Sequence, residues 1–135
     1  MTQLSGACLC GAVSYSGNAD IKLMMNCHCS DCRKVTGSAY GTLMFVAEDS
    51  VAISGDTSVF EHTSDRGSEM QKLFCPKCGS QMFTRNSARE GILGIRAGTA
   101  NQLEIVKPGA NLFKDSAIPS TPLDTALPVH DKMPT

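Results

Sequence analysis

The hydrophobic positions of this chain fall in short runs separated by glycines and polar turns, a pattern of strands rather than helices. Eight runs predict strands: Ala12–Ser16, Lys22–Asn26, Gly41–Val46, Val51–Ser54, Ser58–His62, Met70–Phe74, Gln81–Arg85 and Ile92–Ala97. Turn signals lie between them, "AEDS" at 47–50, "SGD" at 54–56 and "SDRGS" at 64–68. One stretch predicts a helix: Ser30 as cap, Asp31 in the first turn, "DCRKVTG" as the body and Gly37 as the stop. Four of the six prolines, Pro119, Pro122, Pro128 and Pro134, cluster near the C-terminus and predict an extended arm, because proline cannot donate to a central ladder. Met24, Met25 and Met44 read as core filler.

The chain has 135 residues and a net charge of −1, which suits one domain and gives no sign of a nucleic-acid groove or an anionic membrane partner. No apolar stretch approaches the ~20 residues of a spanning helix. The opening "MTQLSGACLCGAVSY" lacks a basic start followed by an apolar run, so the expectation is a soluble, cytoplasmic protein.

Seven cysteines change that plain picture. An odd count, tight spacing and no export signal argue against a disulfide framework and for thiolate ligation of a metal. They form three groups: Cys8 and Cys10 in "CLCG", Cys27, Cys29 and Cys32 in "CHCSDC", and Cys75 and Cys78 in "CPKCG". Pairing Cys29 and Cys32 with Cys75 and Cys78 would need a gap far beyond the usual 15–20 residues of a zinc ribbon and would strand three cysteines. Glycine placement suggests a different partition. Gly11 and Gly79 directly follow Cys10 and Cys78, and a tight turn around a metal often needs a residue that accepts positive φ. Cys8, Cys10, Cys75 and Cys78 then form a closed four-thiolate site, leaving Cys27, Cys29 and Cys32 as a three-thiolate set.

Three protein ligands with one exchangeable position is the pattern of a catalytic zinc. Three thiolates on Zn²⁺ leave a net charge of −1, a weak Lewis acid better suited to binding thiols than to splitting water. Arg33 and Lys34 follow at once and could offset that charge or hold a substrate carboxylate. A fourth ligand from His28, Asp31 or His62 is the alternative to an open position. No GxSxG, P-loop, HExxH or GxGxxG motif competes.

The segments "GACLCGAVSY" (6–15), "NCHCSDCRKVTGSAYG" (26–41) and "KLFCPKCGSQMF" (72–83) together resemble the glutathione-dependent formaldehyde-activating family, also called the CENP-V/GFA domain family. The resemblance implies a mainly β chain folded as a β-tent: small antiparallel sheets organised around zinc, with one short helix after the CxCxxC motif. It implies a domain over residues 4–110, with 111–135 as a proline-rich arm packed on it. It implies two Zn²⁺ per chain, a structural ion at Cys8, Cys10, Cys75 and Cys78 and a catalytic ion at Cys27, Cys29 and Cys32. The implied activity is that of a carbon–sulfur lyase joining glutathione and formaldehyde into S-hydroxymethylglutathione. Members often carry an aromatic residue in the C-terminal segment, and here Phe113 is the aromatic residue of "NLFKDSAIPSTPLD". Two other readings compete: a zinc-stabilised binding module without catalysis, and a thiol redox or metal-sensing protein in which Cys32 is a low-pKa thiolate at the helix start.

Overall fold

The computed structural model describes residues 1–133, so Pro134, the last proline of the expected arm, lies outside the described residues. Among the described residues, ten strands form two sheets. The small sheet joins β1 (Thr2–Ala7), β2 (Ser14–Ala19) and β5 (Val51–Ser54), all antiparallel. The large sheet runs in the order β10 (Asn111–Leu112), β3 (Leu23–Cys27), β4 (Gly41–Ala47), β9 (Ile92–Arg96), β8 (Gln81–Asn86), β7 (Glu69–Phe74) and β6 (Ser58–Thr63). Every pairing in it is antiparallel except β10 with β3.

Side-chain alternation explains why the large sheet is buried on both faces. Along β4, Met44 and Val46 point into a core shared with the small sheet, while Leu43 and Phe45 point the other way. The shared core holds Leu4, Val13 and Tyr15 against Met82, Phe83, Leu93 and Ile95, with the Tyr15 and Phe83 rings meeting edge-on at 5.6 Å. The opposite face carries a second apolar cluster, Met25, Leu43, Ala110 and Leu112, and Cys27 and Cys32 belong to it.

Strands β3 to β9 follow the predicted runs, β2 begins and ends later, and β1 and β10 lie outside every predicted run. The segment "TQLSGA" carries one large apolar side chain, Leu4, which is fully buried. Its small neighbour Gly6 packs under the Tyr15 hydroxyl and the Thr99 carbonyl, where no β-carbon would fit.

The one α-helix among the described residues, α1 (Ser30–Thr36), starts inside the CxCxxC motif rather than after it. Its cap is Cys29, not Ser30: the Cys29 sulfur accepts from the Cys32 backbone N–H at 3.3 Å. Gly37 ends the helix in the left-handed region, at φ 67°, and donates to the Arg33 carbonyl. Beyond residue 110 the chain adds β10 to the sheet beside Cys27, then doubles back so that Asn111 bonds Pro128 and His130 through the backbone. Among the described residues, no helix is long and apolar enough to cross a membrane.

Candidate metal centre and adjoining cavity

Two hairpin tips make the first cysteine set. In the β1–β2 connection Cys8 bonds Val13 and accepts from Gly11; in the β7–β8 connection Cys75 bonds Ser80 and accepts from Gly79. Gly11 and Gly79 adopt φ of 83° and 78°, the left-handed backbone expected of them. The tips meet where the Leu9 N–H donates to Ser80 Oγ. Cys8, Cys10, Cys75 and Cys78 thereby bring four sulfurs within 4.8 Å of one another. A tetrahedral ion with 2.3 Å metal–sulfur bonds spaces its sulfurs about 3.8 Å apart. The Cys8–Cys10 and Cys10–Cys75 sulfurs are 3.7 Å apart, so the donor set fits such an ion.

The thiols here are unequal. Cys78 is held down at about 5, first by the Ser80 hydroxyl and then by backbone N–H groups. Cys10 has an amide donor at Ala12 that favours its thiolate, yet desolvation and the other three sulfurs push it up to about 11.

The second set lies on the other face of the large sheet. Cys27 ends β3, Cys29 caps α1, and Cys32 sits one helical turn on, which places three sulfurs within 4.8 Å. Among the described residues, no histidine or carboxylate joins either set. His28 is fully buried but turns away: its Nε2 lies 3.4 Å from Asn111 Oδ1 and its ring 4.7 Å from the Tyr40 ring. Asp31 faces His62, with Oδ2 and Nδ1 4.0 Å apart.

Cations compensate this second set, but not the expected ones. Arg33 is tied to the Ser116 carbonyl and Lys34 is exposed. The buried cations are Lys72 on β7 and Arg96 on β9, at 4% and 5% exposure. Lys72 donates to Thr84 Oγ1, while among the described residues no guanidinium nitrogen of Arg96 has a hydrogen-bond partner. An unpartnered buried cation is costly unless an anion stands near it. Cys32 provides that anion: the adjacent Cys27 and Cys29 thiols, and then Arg96 and Lys72, hold it down at about 3. Burial lowers the Lys72 ammonium below its ordinary value, against the pull of Cys32. The Cys29 and Cys32 sulfurs, Cys29 foremost, push Cys27 far up, with burial adding to the shift. The only sequence signal for Lys72 and Arg96 is a cation standing at the end of, or within, an apolar strand run.

A cavity of about 240 Å³ opens against Cys27, Cys29 and Cys32. Lys72, Thr84, Met25, Leu43 and Phe45 form part of its wall, and Asp31, Asp65, Arg66 and Arg89 supply its charged residues besides Lys72. Met25, expected as filler, is thus a cavity residue. A larger depression of about 470 Å³ adjoins it, lined by Glu48, Glu61, His62 and Arg85 among others, and holds none of the cysteines. The three clustered cysteines therefore open on the smaller space.

Comparison with known proteins agrees with this architecture. A crystal structure of a Rhodobacter sphaeroides protein, a structural-genomics target, shares the fold with a TM-score of 0.58 at 16% identity, covering 77% of this chain and 96% of that one. No curated protein matches the chain. A family model described as glutathione-dependent formaldehyde-activating enzyme matches residues 3–116. With its two cysteine sets on that fold, this chain belongs to the glutathione-dependent formaldehyde-activating enzyme family.

Proposed function

We propose that this protein is a zinc-dependent carbon–sulfur lyase that forms or cleaves a thiol–aldehyde adduct of the S-hydroxymethylglutathione type. The observation that carries this reading is the gathering of three cysteine sulfurs, with no fourth protein ligand among the described residues, at the wall of a cavity. In this reading Cys8, Cys10, Cys75 and Cys78 hold a structural Zn²⁺, and Cys27, Cys29 and Cys32 hold a catalytic one. The catalytic ion, when bound, supplies an open position at which a thiol gives up its proton.

The remaining work falls to the chain. Arg66 and Arg89 offer cations to the carboxylates of a thiol such as glutathione. Lys72, oriented by Thr84, has N–H groups to spare for the aldehyde oxygen. As the sulfur–carbon bond forms, the carbonyl π pair moves to oxygen and Lys72 donates the proton that completes the hydroxyl. The proton shed by the thiol restores Lys72, so atoms balance and no electron is transferred. Holding both reactants in one cavity supplies much of the acceleration. The domain is read as residues 4–110, with 111–135 as an arm that closes the cavity through Phe113 and Met133. Free cysteines and a thiol substrate suit the reducing cytoplasm.

The test is magnetisation exchange between formaldehyde and S-hydroxymethylglutathione, followed by NMR with and without protein. Zinc-loaded protein is expected to speed the exchange, and Cys29→Ser to return it to the spontaneous rate. Equal rates with and without the native protein would overturn the reading.

A further inference from the structure

Neither formaldehyde nor glutathione accounts for the apolar wall of the cavity beside Cys27, Cys29 and Cys32. The space of about 240 Å³ admits the thiol as well as the aldehyde, and both of these reactants are polar. Its wall is largely apolar: Met25, Leu43, Phe45, Ile92, Phe113 and Met133 all face it. Met25 and Leu43 are buried in the same apolar cluster as Cys27 and Cys32, so the wall reaches the reacting centre itself. A small, hydrated aldehyde gains nothing from such a wall, while a hydrocarbon chain leaves water by entering it.

The backbone carries a second, independent sign. Phe113 is the one non-glycine residue with positive φ among those described, at φ 59° and ψ 44°. Bulky side chains seldom adopt this region, and such strain persists only where the surroundings impose it. Here Leu112 is in parallel register with Cys27, and the Phe113 N–H bonds the Lys132 carbonyl. The strained residue therefore stands directly beyond a cysteine of the centre, with its ring half-buried on the cavity.

We infer that the aldehyde handled by this site carries an aliphatic or aromatic group of several carbons, which packs on the apolar wall completed by Phe113. This rests on the thiol–aldehyde reading above. Phe113 sets specificity by contact with that group, and Leu43 and Met25 form the floor beneath it.

The test compares zinc-loaded protein with glutathione and formaldehyde, butanal or hexanal, each scored as acceleration over its spontaneous exchange. Hexanal is expected to exceed formaldehyde by at least tenfold, since each methylene buried is worth roughly fourfold. Phe113→Gly, which suits the left-handed backbone, should lower the hexanal-to-formaldehyde ratio about tenfold. Calorimetry gives a readout free of catalysis: S-hexylglutathione should bind at least tenfold more tightly than S-methylglutathione, and Phe113→Gly should narrow the gap. Acceleration of formaldehyde equal to or above hexanal overturns the apolar-chain inference and leaves the lyase reading standing. Acceleration of no aldehyde overturns the lyase reading, and this inference with it.

Discussion

Gly41 makes room for Arg96. A β-carbon at residue 41 would lie 2.7 Å from Arg96 Nη1 and 3.8 Å from the Cys32 β-carbon, so the guanidinium fills the space that a side chain on β4 would take. Gly41 is also the register partner of Cys27. The absence of one side chain thus lets a buried cation stand beside Cys32 of the cysteine cluster.

The substitution Gly41→Ala is expected to push aside the flexible end of Arg96 rather than the strand. Losing a supporting charge beside metal ligands typically weakens binding 10–100-fold. We expect about tenfold weaker metal at Cys27, Cys29 and Cys32 and no change at the other set. Chelator competition that resolves two metals will check this, and Arg96→Gln should behave alike. A parallel weakening of both sets would show that the guanidinium does not act on that centre.

The four-cysteine set joins hairpin tips from different sheets, and Cys8 and Cys75 are part of the main core. Cys75→Ser is therefore expected to lower the melting temperature steeply and abolish the chelator-sensitive part of stability. Cys29→Ser should cost no more than about 1 kcal/mol, the value of a helix cap, while releasing one metal. Thermal melts with and without chelator decide between them; equal destabilisation would remove the distinction between the two sets.

In metal-free protein the unequal thiols give a pH signature. Cys78, held at about 5, is thiolate at pH 7, whereas Cys10, pushed to about 11, is thiol. Alkylation followed by mass spectrometry should label Cys78 before Cys10 at pH 7, although Cys10 is the more exposed. As pH falls through 5 the Cys78 thiolate protonates and its advantage disappears. Faster labelling of Cys10 at pH 7 would contradict this order.

Lys72 gives a second pH dependence. Its charged form persists below its pKa, and burial lowers that pKa from the ordinary ~10.4. Exchange activity should decline on an alkaline limb below that value, and Lys72→Met should abolish the limb with a loss of about 10²-fold. An unchanged limb in Lys72→Met would assign it to another group.

Sequence by itself determined what depends on neighbours in the chain. Chelating cysteines must be close in sequence to share a turn, and a glycine beside them marks a left-handed backbone, so "CLCG" and "CPKCG" separate from "CHCSDC" without a structure. Strands β3 to β9 were legible because each carries its own apolar run. Strand β1 was not, since its one large apolar residue, Leu4, gains meaning only from the second sheet that covers it. The cap is Cys29 rather than Ser30 because a cysteine sulfur takes the place of a hydroxyl and accepts from the Cys32 amide.

Only the tertiary structure decided what surrounds the three cysteines. Lys72, Arg96 and Cys32 come from β7, β9 and α1, and Phe113 directly follows β10, well apart in sequence. A buried cation or a strained aromatic residue is defined by the groups that enclose it. Those groups are brought together by packing across the large sheet, and no local spacing encodes them.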